Sequence, residues 1–152
     1  MSGILRVNQV AGVLAALVFG PGALRAQASS TSQAADSLAY PRQFVEWVFT
    51  SRGDSAFAHA GPQLRESMKS VEGVNQMAGR VAARFGDKQG TDAEVQFDEG
   101  PLKVYIAVMR FSQAPEPAAW VVAYSPSTKV VERASFSSLS NVKAKYPQAK
   151  LP

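Results

Sequence analysis

The hydrophobic period of this chain changes once, and that change constrains the fold more than any other feature. Up to Phe85-Gly86 apolar residues recur every three or four positions; beyond Gly90 they recur every two. Phe44, Val45, Val48 and Phe49 make one helical stripe, with Trp47 at its flank. Val74, Met77, Ala78, Val81 and Phe85 make a second. The stretch "AEVQF" then alternates, and "LKVYIAVMRF" puts Leu102, Val104, Ile106 and Val108 on one face and Tyr105, Ala107, Met109 and Phe111 on the other. With both faces apolar, that strand is expected to be central. Two more strands, "AAWVVAYS" and "KVVERASFSS", follow turns that contain Pro. Helices first and an antiparallel run afterwards predict an α+β domain. The expectation is three N-terminal helices packed on a curled four-stranded antiparallel sheet, cone-like; only a strongly curled sheet would enclose a cavity with the helices.

The helical half carries its own punctuation. Pro41 suits the first turn of a helix over about 41–51, where a missing N–H costs little. Arg52-Gly53-Asp54 has the spelling of an adhesion motif, but it falls between two apolar elements. Gly53 is read as the left-handed residue that ends one helix, and Asp54 as the N-cap of a short one, "SAFAHA". Gly61-Pro62 breaks and restarts the chain, with Leu64 and Met68 one turn apart. Ser70 is expected to cap a longer helix that stops at Gly86. Gly73 and Gly79 weaken that helix by roughly 1 kcal/mol each relative to Ala, and Gly79 is a place where a neighbouring layer could approach closely.

The beginning of the chain reads as a targeting segment. Arg6 precedes an uncharged apolar run from Val10 to Phe19, Pro21-Gly22 break it, and Ala26-Gln27-Ala28 offers the small residues of a cleavage site. The run falls short of the roughly 20 residues a bilayer span requires. The expected organisation is a signal peptide over 1–28, a flexible lead-in over 29–40, a helix-plus-sheet domain over 41–140 and a C-terminal tail over 141–152, which either forms a short helix at Leu139–Tyr146 or stays irregular. Cleavage would remove Arg6, Arg25 and no acid, so the net charge of +4 falls to +2 and no stable membrane span remains. The charges are mixed and form no basic stripe, so no nucleic-acid partner is expected. The chain has no Cys. An exported domain without disulfides rests on its apolar core, which points to a bacterial periplasm or the exterior.

Residues 44–138 resemble exported bacterial domains of unknown function in the nuclear-transport-factor-2-like (SnoaL-like) superfamily. The resemblance is carried by the aromatic helix Phe44–Phe49, the Gly53-Asp54 corner, Ala56-Phe57, "PQLR" at Pro62–Arg65, Ser70, and Phe85-Gly86. It implies a helix layer on a curled sheet and a structural role for the Gly53-Asp54 corner. Enzymes of the wider superfamily place Asp, His or Tyr residues inside the cone; none of those positions can be matched onto this sequence.

Candidate chemistry is sparse. His59 is the one His, and with Asp54 it could serve as a general base and its orienter in a small hydrolase or isomerase-like enzyme. Glu94, Asp98 and Glu99 cluster near the first strand without the spacing of a cation-binding loop, so no metal is expected. No Gly-x-Ser-x-Gly elbow, phosphate loop or dinucleotide fingerprint is present, and no cofactor is expected. The richer feature is aromatic: Tyr105, Met109, Trp120 and Tyr124 sit on neighbouring strands, either as core or as an apolar face. The leading expectation is a non-catalytic domain whose Tyr105, Met109, Trp120 and Tyr124 meet a small apolar ligand, an envelope protein partner or a second copy in a homodimer.

Overall fold

The computed structural model describes residues 37–152; the expected signal peptide and most of the lead-in lie outside them. The described chain is an α+β unit with a four-stranded antiparallel sheet that does not close into a barrel. Among the described residues four helical segments precede the sheet: α1 over 37–49, α2 Gly53–Ala58, α3 Pro62–Met68 and α4 Val71–Phe85. At Lys69-Ser70, Lys69 takes a positive φ of 66° and Ser70 is extended, so the chain breaks between α3 and α4. The Ser70 hydroxyl then accepts a hydrogen bond from Gly73 N at 3.1 Å, the cap expected from the sequence.

Two local expectations are corrected. Residues 37–40, expected in the lead-in, are helical, and Leu38 and Tyr40 pack against the core, so Pro41 lies inside α1 rather than opening it. At the Arg52-Gly53-Asp54 corner the left-handed residue is Ser51, with φ 56°, and Gly53 is already the first residue of α2 with Arg52 as its N-cap. Gly53 is needed for a different reason: it is buried, its N–H donates to Asn75 Oδ1 at 2.8 Å, and a Cβ there would lie 2.6 Å from the Val71 carbonyl oxygen. The corner is the seam where α2 docks on α4. Gly79, by contrast, has no atom within 4 Å of an added Cβ, so no layer approaches it.

The strands are β1 Lys88–Glu99, β2 Leu102–Phe111, β3 Ala118–Ser125 and β4 Val130–Ser138, in spatial order 1-2-3-4. Register follows the alternation in the sequence: Tyr105 pairs with Val122, Ala107 with Trp120, and Trp120 in turn with Phe136. One sheet face, with Tyr105, Met109, Phe111, Trp120 and Tyr124, meets Phe44, Val45, Val48, Leu64, Val74 and Val81 of the helices in the main core. The other face, with Val104, Ile106, Val108, Ala119, Val121 and Ala123, forms a second core with the C-terminal tail. That tail is ordered as α5, Leu139–Lys145, followed by a 3-10 turn at Pro147–Ala149. Leu139, Val142, Tyr146 and Ala149 recur at helix-like spacing and so present one apolar side to the sheet. Full burial of each large apolar side chain stabilises by about 1.5–3 kcal/mol, so a short tail suffices to hold that face.

The two sheet edges differ. Next to β4, Val131 N donates to His59 O at 2.8 Å and Gly61 N to Val131 O at 2.7 Å, so residues 59–61 partly cover that edge. On β1, Asp92, Glu94, Asp98 and Glu99 all carry ion pairs, to Arg110, Arg42, Lys103 and Arg133. Charge along an edge strand opposes edge-to-edge pairing with another sheet.

Candidate functional site

His59 closes α2 as its C-cap, which brings the ring against α1. It lies on Trp47 at 4.9 Å between centroids with an interplanar angle of 32°, and Tyr40 flanks it at 5.8 Å. Its Nδ1 is 3.2 Å from the Lys129 carbonyl oxygen and 3.4 Å from the Tyr40 hydroxyl. Tyr40 itself donates to Lys129 O. Burial, reinforced by Tyr124, pushes the Tyr40 hydroxyl up to about 12. Asp54 is exposed in the first turn of α2, and among the described residues no hydrogen bond or ion pair joins it to His59. The imidazole pins α1, α2 and the β3–β4 turn together.

The four sheet residues of the expected contact face are buried: Tyr105 is 1 % exposed, and Met109, Trp120 and Tyr124 are 2 % exposed. The helices cover them, because the stripe of α1 and the stripe of α4 both need that same apolar face. The tyrosine hydroxyls reach the β1 side of the sheet. Tyr105 donates to Glu94, which Arg42 also grips through Nε at 2.8 Å and Nη2 at 2.6 Å. The Arg42 guanidinium holds the Glu94 carboxyl below the usual range, and burial raises Tyr105. The Tyr124 hydroxyl shares its one proton between Gln96 Oε1 at 3.0 Å and Ser37 O at 3.2 Å. Tyr105 and Met109 form one wall of a narrow cleft of about 250 Å³ beside α1, whose rim is the Arg42–Glu94 pair.

Trp120 has a different fate. Its Nε1 is buried without a hydrogen-bond partner. The indole is packed among rings, 5.4 Å from Phe136 and 6.0 Å from Phe49, which supply no acceptor in their planes. Phe136 also meets Phe85 edge-on at 5.3 Å and Phe111 at 5.6 Å.

That aromatic cluster opens to the surface in a wider cleft of about 450 Å³ between the end of α4, the β2–β3 turn and the start of α5. Phe85, Phe136, Ala118 and Pro115 wall it; Arg84, Glu116, Ser137, Ser138 and Asn141 bring polar groups to it. Asn141 Nδ2 donates to Ser137 Oγ at 3.3 Å, and Ser138 Oγ caps α5 by accepting from Asn141 N. The Arg84 guanidinium lies over the Phe85 ring at 5.1 Å. None of these residues stands out in the sequence as a site. The usable signal was the pairing of β3 with β4, which sets Phe136 opposite Trp120 and so extends the aromatic cluster to the sheet edge.

Among the described residues no group of three His, Asp or Glu side chains is placed to hold a metal ion, and no helix is long and apolar enough to cross a membrane. No family model, no curated protein and no solved structure matches this chain.

Proposed function

We propose that this is a non-catalytic, exported domain that binds a small apolar ligand, and that the ligand occupies the cleft walled by Phe85 and Phe136. The observation that carries the reading is the cleft itself: its volume of about 450 Å³ falls within the roughly 300–1,000 Å³ range of small-molecule sites, and its lining divides nearly evenly between the apolar Phe85, Phe136, Ala118 and Pro115 and the polar residues beside them. The surface supports a small ligand over a protein partner, because Val71 is the one large apolar side chain exposed among the described residues. A homodimer through the Tyr105, Met109, Trp120 and Tyr124 face would require the helices to lift from a core they fill. The engagement of His59 by Trp47, Tyr40 and Lys129 O supports a structural role over that of a general base paired with Asp54.

Membership of the nuclear-transport-factor-2-like superfamily, with a cone-like curl of the sheet, belongs to the same proposal. Helices before strands, and helices on one sheet face, support it. The test is a titration of the purified protein with 8-anilinonaphthalene-1-sulfonate, an apolar fluorescent anion. Saturable binding to one site, lost in Asn141→Trp, where an exposed residue of α5 is enlarged to block the cleft, is the expected result. Binding that Asn141→Trp leaves unchanged, or no saturable binding, refutes the cleft as the site.

A further inference from the structure

The cleft pairs an aromatic wall with one exposed cation and one exposed anion that join no ion pair among the described residues. Five cation–carboxylate pairs close at 2.6–2.9 Å among the described residues, and neither Arg84 nor Glu116 belongs to any of them. Both line the cleft, Arg84 from the end of α4 and Glu116 from the β2–β3 turn, yet they form no ion pair with each other. Arg84 is laid along the Phe85 ring, which keeps its guanidinium at the rim. Glu116 accepts one neutral hydrogen bond, from Ser140 Oγ at 3.1 Å. A ligand complementary to this arrangement offers a carboxylate to Arg84, an ammonium to Glu116 and an apolar group to Phe85 and Phe136.

We propose that the ligand is a free α-amino acid with an aromatic or large aliphatic side chain. The inference rests on the cleft being a ligand site. It adds the charge pattern: an α-amino acid carries two opposite charges on one carbon with the side chain branching from it, the same combination of one cation, one anion and an aromatic wall that lines the cleft. Guanidinium–carboxylate contacts favour a two-pronged geometry that fixes orientation as well as adding affinity. Asn141 and Ser137 supply further donors and acceptors beside the rim.

The experiment is isothermal calorimetry at low salt with three probes: L-phenylalanine, 2-phenylethylamine, which lacks the carboxylate, and 3-phenylpropionate, which lacks the ammonium. The wild-type protein is expected to bind phenylalanine about tenfold more tightly than either analogue, the size of one charge-assisted hydrogen bond at a partly exposed site. Arg84→Gln should weaken phenylalanine and phenylpropionate and spare phenylethylamine; Glu116→Gln should weaken phenylalanine and phenylethylamine and spare phenylpropionate. Both residues are exposed, so neither change threatens folding. Equal affinity for all three probes, or variants that respond without this cross-pattern, overturns the proposal. If the naphthalene sulfonate binds and is displaced from Asn141→Trp while phenylalanine does not bind, the amino-acid inference falls and the ligand site stands. If neither binds, both fall.

Discussion

Replacing Gly53 by Ala tests whether the Arg52-Gly53-Asp54 corner is a packed seam or a presented loop. An added Cβ would lie 2.5 Å from Asn75 Oδ1 and 2.6 Å from the Val71 carbonyl oxygen. The first obstacle is a side chain that can rotate; the second is helix backbone that cannot move without shifting α4. Overpacking of this kind costs about 1–3 kcal/mol. If Asn75 does rotate away, the buried Gly53 N–H loses its acceptor, and an orphaned buried donor costs about 1–3 kcal/mol by itself. The gain in helix propensity from Gly to Ala, at most about 1 kcal/mol, is small at the first residue of a helix. The expected net loss is therefore about 2 kcal/mol, a shift of about thirtyfold in the folding equilibrium. Urea unfolding followed by far-ultraviolet circular dichroism reads it as a lower midpoint with an unchanged slope. The matched control is Gly79→Ala, in an exposed part of α4 with no atom within 4 Å, which should stabilise by up to about 1 kcal/mol. A Gly53→Ala protein within 0.5 kcal/mol of wild type would refute the seam, and with it the account of why glycine stands there.

The remaining predictions concern the core and its titrating groups. Trp120→Phe should cost under about 1 kcal/mol, because it removes an unpaired buried N–H along with part of the indole, whereas Trp120→Ala should cost about 3–5 kcal/mol; a Phe variant as damaged as the Ala variant in urea unfolding would show that the indole N–H has a partner. Tyr40 titrates near 12 in the folded chain against 10 unfolded, so its contribution is complete below pH 10 and lost as the pH rises to about 12. The loss should be about 1 kcal/mol once solvent screening of a half-buried group is allowed for, and Tyr40→Phe should flatten that part of the alkaline limb. Glu94 behaves oppositely: Arg42 lowers its folded value, so its contribution is present above the ordinary carboxylate range and lost as the pH falls through the lowered value. Glu94→Gln should reduce the acid-side slope of stability, and an unchanged slope would mean that the Arg42 pair does not persist in solution.

The sequence alone determined the order of elements, because period is a local property. The 3.6-residue stripe of α4, the alternation of β2 and β3, the serine cap at Ser70 and the glycine stop at Gly86 depend on residues a few positions apart, and each is where its neighbours put it. The two faces of β2 were likewise legible, since alternation assigns Val104 and Tyr105 to opposite cores whatever covers them. What covers them was a tertiary decision. Tyr105, Met109, Trp120 and Tyr124 could be read as core or as a binding face, and the docking of α1 and α4 made them core. The same holds for Gly53, whose neighbours Val71 and Asn75 lie on another helix and so leave no trace in the local spelling. It holds most fully for the cleft. Arg84, Phe85, Glu116, Phe136 and Asn141 come from four separate parts of the chain, and no local rule brings them together. Burial of the aromatic cluster in the interior does, by setting the end of α4 against the edge of the sheet.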